Sequence, residues 1–114
     1  MAAPGATPRR YNGGVKLTER QRRHLRGLAH PLKPVVLIGN AGLTDAVAAE
    51  TDRALHDHEL IKVRFAGADR EARDAGLEAL AARTRSTLVT RIGHVAVLYR
   101  PRPDLPRIVL PAAD

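Results

Sequence analysis

Two stretches of the sequence carry groups whose type and spacing could do chemistry. In VVLIGNAGLT, residues 35–44, an aliphatic run ends at Gly39-Asn40-Ala41-Gly42, and the hydroxyl residue Thr44 follows. Glycines there give access to φ > 0 and let backbone amides approach an anion with no Cβ between. The unpaired N–H groups of a helix starting at Thr44 would point the same way, with the helix dipole behind them. Phosphate is the ligand such a turn could hold, and an ordinary tight turn explains the same four residues. A Walker loop is excluded, because it needs lysine before the hydroxyl residue and Leu43 stands there. The second stretch, His56-Asp57-His58, offers metal-ligand residue types. At the end of a helix, however, residues i and i+2 point in different directions, so two imidazoles would not share an ion. Histidine in a last helical turn is instead favoured by the dipole.

Other chemistry is sparse. The chain has no cysteine, which excludes disulfides and thiolate metal sites, and it has neither HExxH nor G-x-S-x-G. His24 and His30 fall on or just after a basic segment, where RNA contact or solvation outranks catalysis. The expectation is a protein that binds without turnover, with no cofactor and no metal. Glycine is common enough that one G-x-x-G is expected by chance, so the residues alone leave clamp and turn both open. KH domains hold a nucleic-acid backbone on a GXXG loop by the physics described above.

The elements that must position this loop follow from caps and periodicity. Thr18-Glu19-Arg20-Gln21 has the form of a capping box and predicts a first helix from Thr18. Gln21, Leu25, Leu28 and Ala29 share one face of it, and Arg20, Arg22, Arg23 and Arg26 fan over the rest, charge outward. Pro31 and Pro34 end it. Val35 to Ile38, short and uniformly apolar, reads as a central strand. Thr44 caps a second helix that can bury Val47, Thr51, Ala54 and Leu55. Leu60 to Ala66 alternates, with Ile61, Val63 and Phe65 on one face and Lys62 and Arg64 on the other. Asp69 caps a third helix to about Thr84, with Ala72, Leu77, Leu80 and Ala81 available to bury. Leu88 to Ile92 and Val95 to Tyr99 flank Gly93-His94, the signature of a type II′ hairpin. The order α-β-α-β-α-β-β implies an α/β (α+β) fold: a small four-stranded mixed sheet packed by helices. Residues 1–15 read as a flexible basic arm, 16–101 as the domain, and 102–114 as a Pro-rich irregular tail with at most a short edge pairing at Ile108 to Leu110.

Charge and aromatic content narrow the partner. The net charge is +7, of which +6 falls in residues 1–30, −1 in residues 31–66 and +2 in the remainder. Concentrated positive charge favours polyanions, because neutralising phosphates releases condensed counterions. Only Tyr11, Phe65 and Tyr99 are aromatic, too few for a base-stacking platform. Recognition should rest on phosphates and RNA shape, which favours a structured RNA. No apolar run reaches membrane-spanning length, and the first residues lack a secretory signal, so the expected setting is the cytoplasm.

LRGLAHPLKPVVLIGNAGLTDAV (25–47), HELIKVRFAG (58–67), DREARDAG (69–76) and IGHVAVLYRP (92–101) together resemble the CRM family (chloroplast RNA splicing and ribosome maturation), most closely its stand-alone bacterial YhbY-type form. The resemblance spans roughly residues 16–101. It implies a fold similar to the C-terminal domain of bacterial translation initiation factor three. It also implies RNA binding, with large-subunit rRNA precursors and pre-ribosomal particles as partners. Its GxxG loop maps onto Gly39, Asn40, Ala41 and Gly42, and its basic positions onto Arg20, Arg22, Arg23, Arg26 and Lys33, with Lys62 and Arg64 on a strand. Two positions depart from it. His94 stands where members often carry lysine, so a permanent charge is lost, and Arg85 stands where a glycine often caps the third helix. The expected protein is a monomer that binds ribosomal RNA during large-subunit assembly. An adaptor whose basic face binds an acidic protein is the other class of function these residues permit.

Overall fold

The computed structural model describes residues 16–67 and 69–112, so the arm at 1–15, Tyr11 included, lies outside the described residues. The elements are α1 (Glu19–Ala29), β1 (Pro34–Ile38), α2 (Asp45–His58), β2 (Leu60–Phe65), α3 (Arg70–Thr84), β3 (Thr87–Ile92) and β4 (Val95–Tyr99), in the expected order. The three helices start where their caps predict. Thr18 Oγ1 accepts from Gln21 N at 3.1 Å while Gln21 Oε1 accepts from Thr18 N at 3.1 Å, which completes the capping box. Thr44 Oγ1 accepts from Val47 N at 3.1 Å, and Asp69 Oδ1 from Ala72 N at 2.8 Å.

The strands form one mixed sheet in the order β1-β2-β4-β3, with β1 parallel to β2 and the other pairs antiparallel. β1 is therefore an edge strand, and the expectation of a central one is corrected. Val36 and Ile38 are buried, but Val35 and Leu37, on the opposite face, are exposed. A run apolar on both faces specifies burial on both only if something covers the second face. The hairpin has the expected two-residue turn: Ile92 opposes Val95, and Gly93 takes φ +60° while His94 is not among the positive-φ residues, as type II′ requires.

Each face of the sheet carries its own core. α2 and α3 cover Val36, Ile38, Ile61, Val63, Phe65 and Leu98 with Leu55, Leu77 and Leu80. Fully burying one such leucine stabilises by roughly 1.5–3 kcal/mol. Gly76 brings α3 close, since a Cβ there would sit 2.8 Å from Phe65 Cε2. On the other face, Leu25 and Ala29 of α1 pack with Leu60, Val89, Val97 and Tyr99. Leu28, expected on that buried stripe, is instead exposed, and Ala72 of α3 is exposed as well. At the end of α3, Arg85 itself adopts the left-handed conformation (φ 57°, ψ 37°) usually given to glycine, and Ser86 N donates back to Ala81 O at 2.9 Å. The glycine-type cap survives with an arginine in it, at a cost of about 1 kcal/mol.

Residues 102–112 form no strand, yet they are fixed in place. The carboxylate of Glu59, wholly buried at the end of α2, accepts N–H bonds from Arg102 at 2.8 Å, Arg107 at 2.8 Å and Ile108 at 3.0 Å. Three donors compensate for taking a carboxylate out of water. Ile108 and Leu110 pack on the α1-side core, and Gln21 Nε2 donates to Pro111 O at 2.9 Å.

Candidate nucleic-acid interface

Because β1 and β2 run parallel, the loops that leave their C-terminal ends emerge at one edge of the sheet, and the turn entering antiparallel β4 joins them there. In the first loop, Gly42 N donates to Gly39 O at 2.9 Å and Gly42 takes φ +74°. Gly39 does not take a positive φ, although both glycines had been expected to use that freedom. The turn delivers the chain to Thr44, whose hydroxyl accepts from Val47 N and whose carbonyl accepts from Ala48 N. The N–H groups of Asp45 and Ala46 thus open the helix ahead of any intrahelical acceptor. The one acid of that first turn, Asp45, is matched by Arg83 Nη2 at 2.5 Å. This pairing lowers the repulsion an incoming phosphate would meet.

The second loop packs against the first. Gly67 has φ +81°, and a Cβ there would strike Asn40 Oδ1. Between them lies a cleft of about 270 Å³, lined by the glycine loop, Phe65, Gly67 and the first turns of α3. The hairpin turn closes the row, with Phe65 N donating to His94 O at 2.7 Å. Around it, Arg73 Nη1 lies 3.3 Å from His94 Nε2, while Arg91 contacts Asp74 Oδ1 at 2.5 Å and Gly93 O at 2.8 Å. Arg73 and Arg91 were missed as candidates. The signal that could have found them is topological: an antiparallel β4 must bring its hairpin beside the C-terminal end of β2.

The sequence-predicted cations divide into groups. Arg64 is exposed and pairs in register with Leu37, near the glycine loop. Lys33 precedes β1 and Gly39 follows it, so five strand residues, about 17 Å of chain, separate them. Arg20 and Arg23 are exposed on α1, and Arg26 is 3.6 Å from Glu19. Arg22 does not point outward as expected. It shares the inner stripe with Leu25 and Ala29, and its guanidinium donates to the carbonyls of Leu88, at 2.9 Å, and Val89. Lys62 is likewise engaged, its Nζ donating to the C-cap carbonyl of α1, His30 O, at 3.2 Å and to Leu32 O in the connector after it at 2.9 Å. A cation there complements the helix dipole.

His56 and His58 are both exposed on the last turn of α2, and no group of three or more metal-ligating side chains occurs among the described residues. Phe65 and Tyr99 are buried, which leaves no exposed phenylalanine, tyrosine or tryptophan ring among those residues. Burial, and after it the Glu59 carboxylate, pushes the Tyr99 phenol above its ordinary value of 10.0. No helix among them is long and apolar enough to cross a membrane.

The sequence profile of the CRS1 / YhbY (CRM) domain matches residues 17–100. The chain belongs to the CRM family. It is 48% identical over 95 residues to a Haemophilus influenzae protein named "RNA-binding protein", covering 83% of this chain and 95% of that one. A Bacillus subtilis relative named "Probable RNA-binding protein YqeI" is 38% identical over 95 residues, covering 83% of this chain and 99% of its own length. The CRM domain also superposes on the solution structure of a hypothetical protein from Staphylococcus aureus, with a TM-score of 0.74 and 36% identity over 84% of this chain and all of that one.

Proposed function

We propose that this CRM domain binds structured ribosomal RNA without catalysis, in assembly of the large ribosomal subunit in the cytoplasm. The Gly39–Gly42 loop holds a sugar-phosphate segment at the N-terminus of α2. Arg64 lies beside that segment, and Arg20, Arg23, Arg26 and Lys33 contact phosphates farther along. Arg22 and Lys62, bound to backbone carbonyls, hold α1 in place for those contacts.

The single observation behind this reading is the open space at Gly39. Its φ is not one that demands glycine, and a Cβ there would meet nothing within 4 Å. Neither the turn nor the core accounts for the missing side chain, whereas close approach of an external backbone does. Relatives named for RNA binding favour RNA as the ligand, and the burial of Phe65 and Tyr99 favours shape-reading of a folded RNA over stacking on single bases.

The test is affinity for precursor large-subunit rRNA, measured with wild type and Gly42→Asp after circular dichroism shows both folded. Aspartate adds a Cβ at φ +74° and a negative charge, and should weaken binding by about tenfold or more. Unchanged affinity in a folded variant refutes the clamp.

A further inference from the structure

β1 carries the sequence pattern of a strand covered on both faces, and the structure covers only one. Val36 and Ile38 lie under α2, while Val35 remains 48% exposed and Leu37 61% exposed. Such conflict between local pattern and fold concentrates at functional surfaces. On this face α1 packs against β2 and β3, so the helix layer stops short of β1. Leu28 and Leu32, at the end of α1, are exposed at 41% and 38%. With Val35, Leu60, Ile61 and Ile108 they line a groove of about 430 Å³. A second hollow of about 450 Å³ shares Lys33 and Val35 with it and runs on to Leu37 and Arg64. The charged or titratable residues lining the two are Lys33, His58 and Arg64, with no acid among them.

We infer that this half-face is the docking site for an amphipathic helix of a partner protein, apolar along one side and acidic along its flanks. Helices pack on one another at 8–10 Å, about two strand spacings, so the uncovered β1 side of the sheet has room for one helix beside α1. The floor supplies apolar burial, and the basic rim selects glutamate and aspartate over lysine on the incoming flanks. A second copy of the chain is disfavoured as the occupant because it brings the same basic rim and a net charge of +7. RNA is disfavoured because the floor is aliphatic and offers no phenylalanine, tyrosine or tryptophan ring for a base to stack on. This surface excludes the glycine loop but shares Lys33 and Arg64 with the proposed RNA contacts, so the two readings are told apart at Leu37, which belongs to this surface alone.

The experiment is amide NMR of the full chain titrated with a synthetic helical peptide of about five turns, bearing a leucine stripe and glutamate elsewhere. A lysine-for-glutamate isomer and a serine-for-leucine isomer serve as controls. The expected result is shifts confined to the lining of the groove and its neighbouring hollow, Leu28, Leu32, Val35 to Leu37 and Ile108 among them, with the first peptide, and binding at least about tenfold weaker for both controls. Leu37→Asn, an exposed change that the fold tolerates, should weaken the peptide by a similar factor and leave RNA affinity as in wild type. Equal binding of either control, shifts elsewhere, or the same amides moving with oligouridylate alone overturns the proposal. So does a concentration-dependent dimer abolished by Leu37→Asn.

Discussion

Replacing Gly39 and Gly42 one at a time by alanine separates what the turn needs from what a bound backbone needs. At both positions a Cβ would point into open space, so neither change creates an internal clash. Gly42 sits at φ +74°, where an L-residue costs about 1–2 kcal/mol, whereas Gly39 carries no such requirement. Gly42→Ala should therefore lower stability by roughly 1 kcal/mol, a fall of about 4 °C in Tm for a domain of this size. Gly39→Ala should leave stability unchanged or raise it by about 0.5 kcal/mol, through the reduced freedom of the unfolded chain. For RNA the ranking changes. A methyl group at Gly39 stands between the loop amides and an incoming phosphate, and losing about 1.4 kcal/mol of a charge-assisted contact is a tenfold loss of affinity. The assay pairs thermal unfolding with filter binding to a large-subunit rRNA fragment at fixed salt. If Gly39→Ala binds as wild type does, and Gly42→Ala weakens only as far as its unfolding explains, the close-approach reasoning is wrong.

Three further outcomes follow from the same geometry. Arg64→Ala should reduce the slope of log affinity against log salt by about 1, while Lys62→Met should leave that slope alone and instead cost about 1 kcal/mol of stability through the uncapped carbonyls of α1; salt titrations and urea unfolding of both variants check this. Glu59→Gln presents one acceptor and one donor to three backbone N–H groups, so stability should fall by roughly 2–3 kcal/mol, with hydrogen-exchange protection lost first at Arg102, Arg107 and Ile108. The raised pKa of Tyr99 means that the folded state keeps a proton the unfolded chain gives up above pH 10.0. The resulting stability is complete below that pH and lost as pH rises through the folded value; Tyr99→Phe should flatten the alkaline limb of an unfolding-midpoint titration.

What the residues announced in advance was mostly local. The caps at Thr18, Thr44 and Asp69 and the Gly93-His94 turn are contained within four consecutive residues each, so they read directly. Neighbour relations did not. VVLI specifies a strand and its burial, but its seat at the sheet edge depends on which elements cover it, and α1 covers β2 and β3 instead. Arg22 and Lys62 looked like surface cations because charge on a helix or an alternating strand faces out by default. Their long stems reach backbone carbonyls of β3 and of the end of α1, partners 66 and 30 residues away in sequence. Glu59 gave no sign that it would be buried, since its three donors belong to a proline-rich segment more than forty residues on. The glycine loop was legible as a turn before a helix. That Gly39 combines open space with a φ that does not require glycine is visible only in three dimensions.

The most direct measurement is ultraviolet crosslinking of the protein to RNA in cells, followed by mass spectrometry of nucleotide-bearing peptides and sequencing of the attached RNA. The account predicts nucleotide adducts on the peptides that contain Gly39–Gly42 and Arg64, with large-subunit rRNA precursor as the RNA recovered. Adducts confined to other surfaces, or RNA without ribosomal sequence, would contradict it.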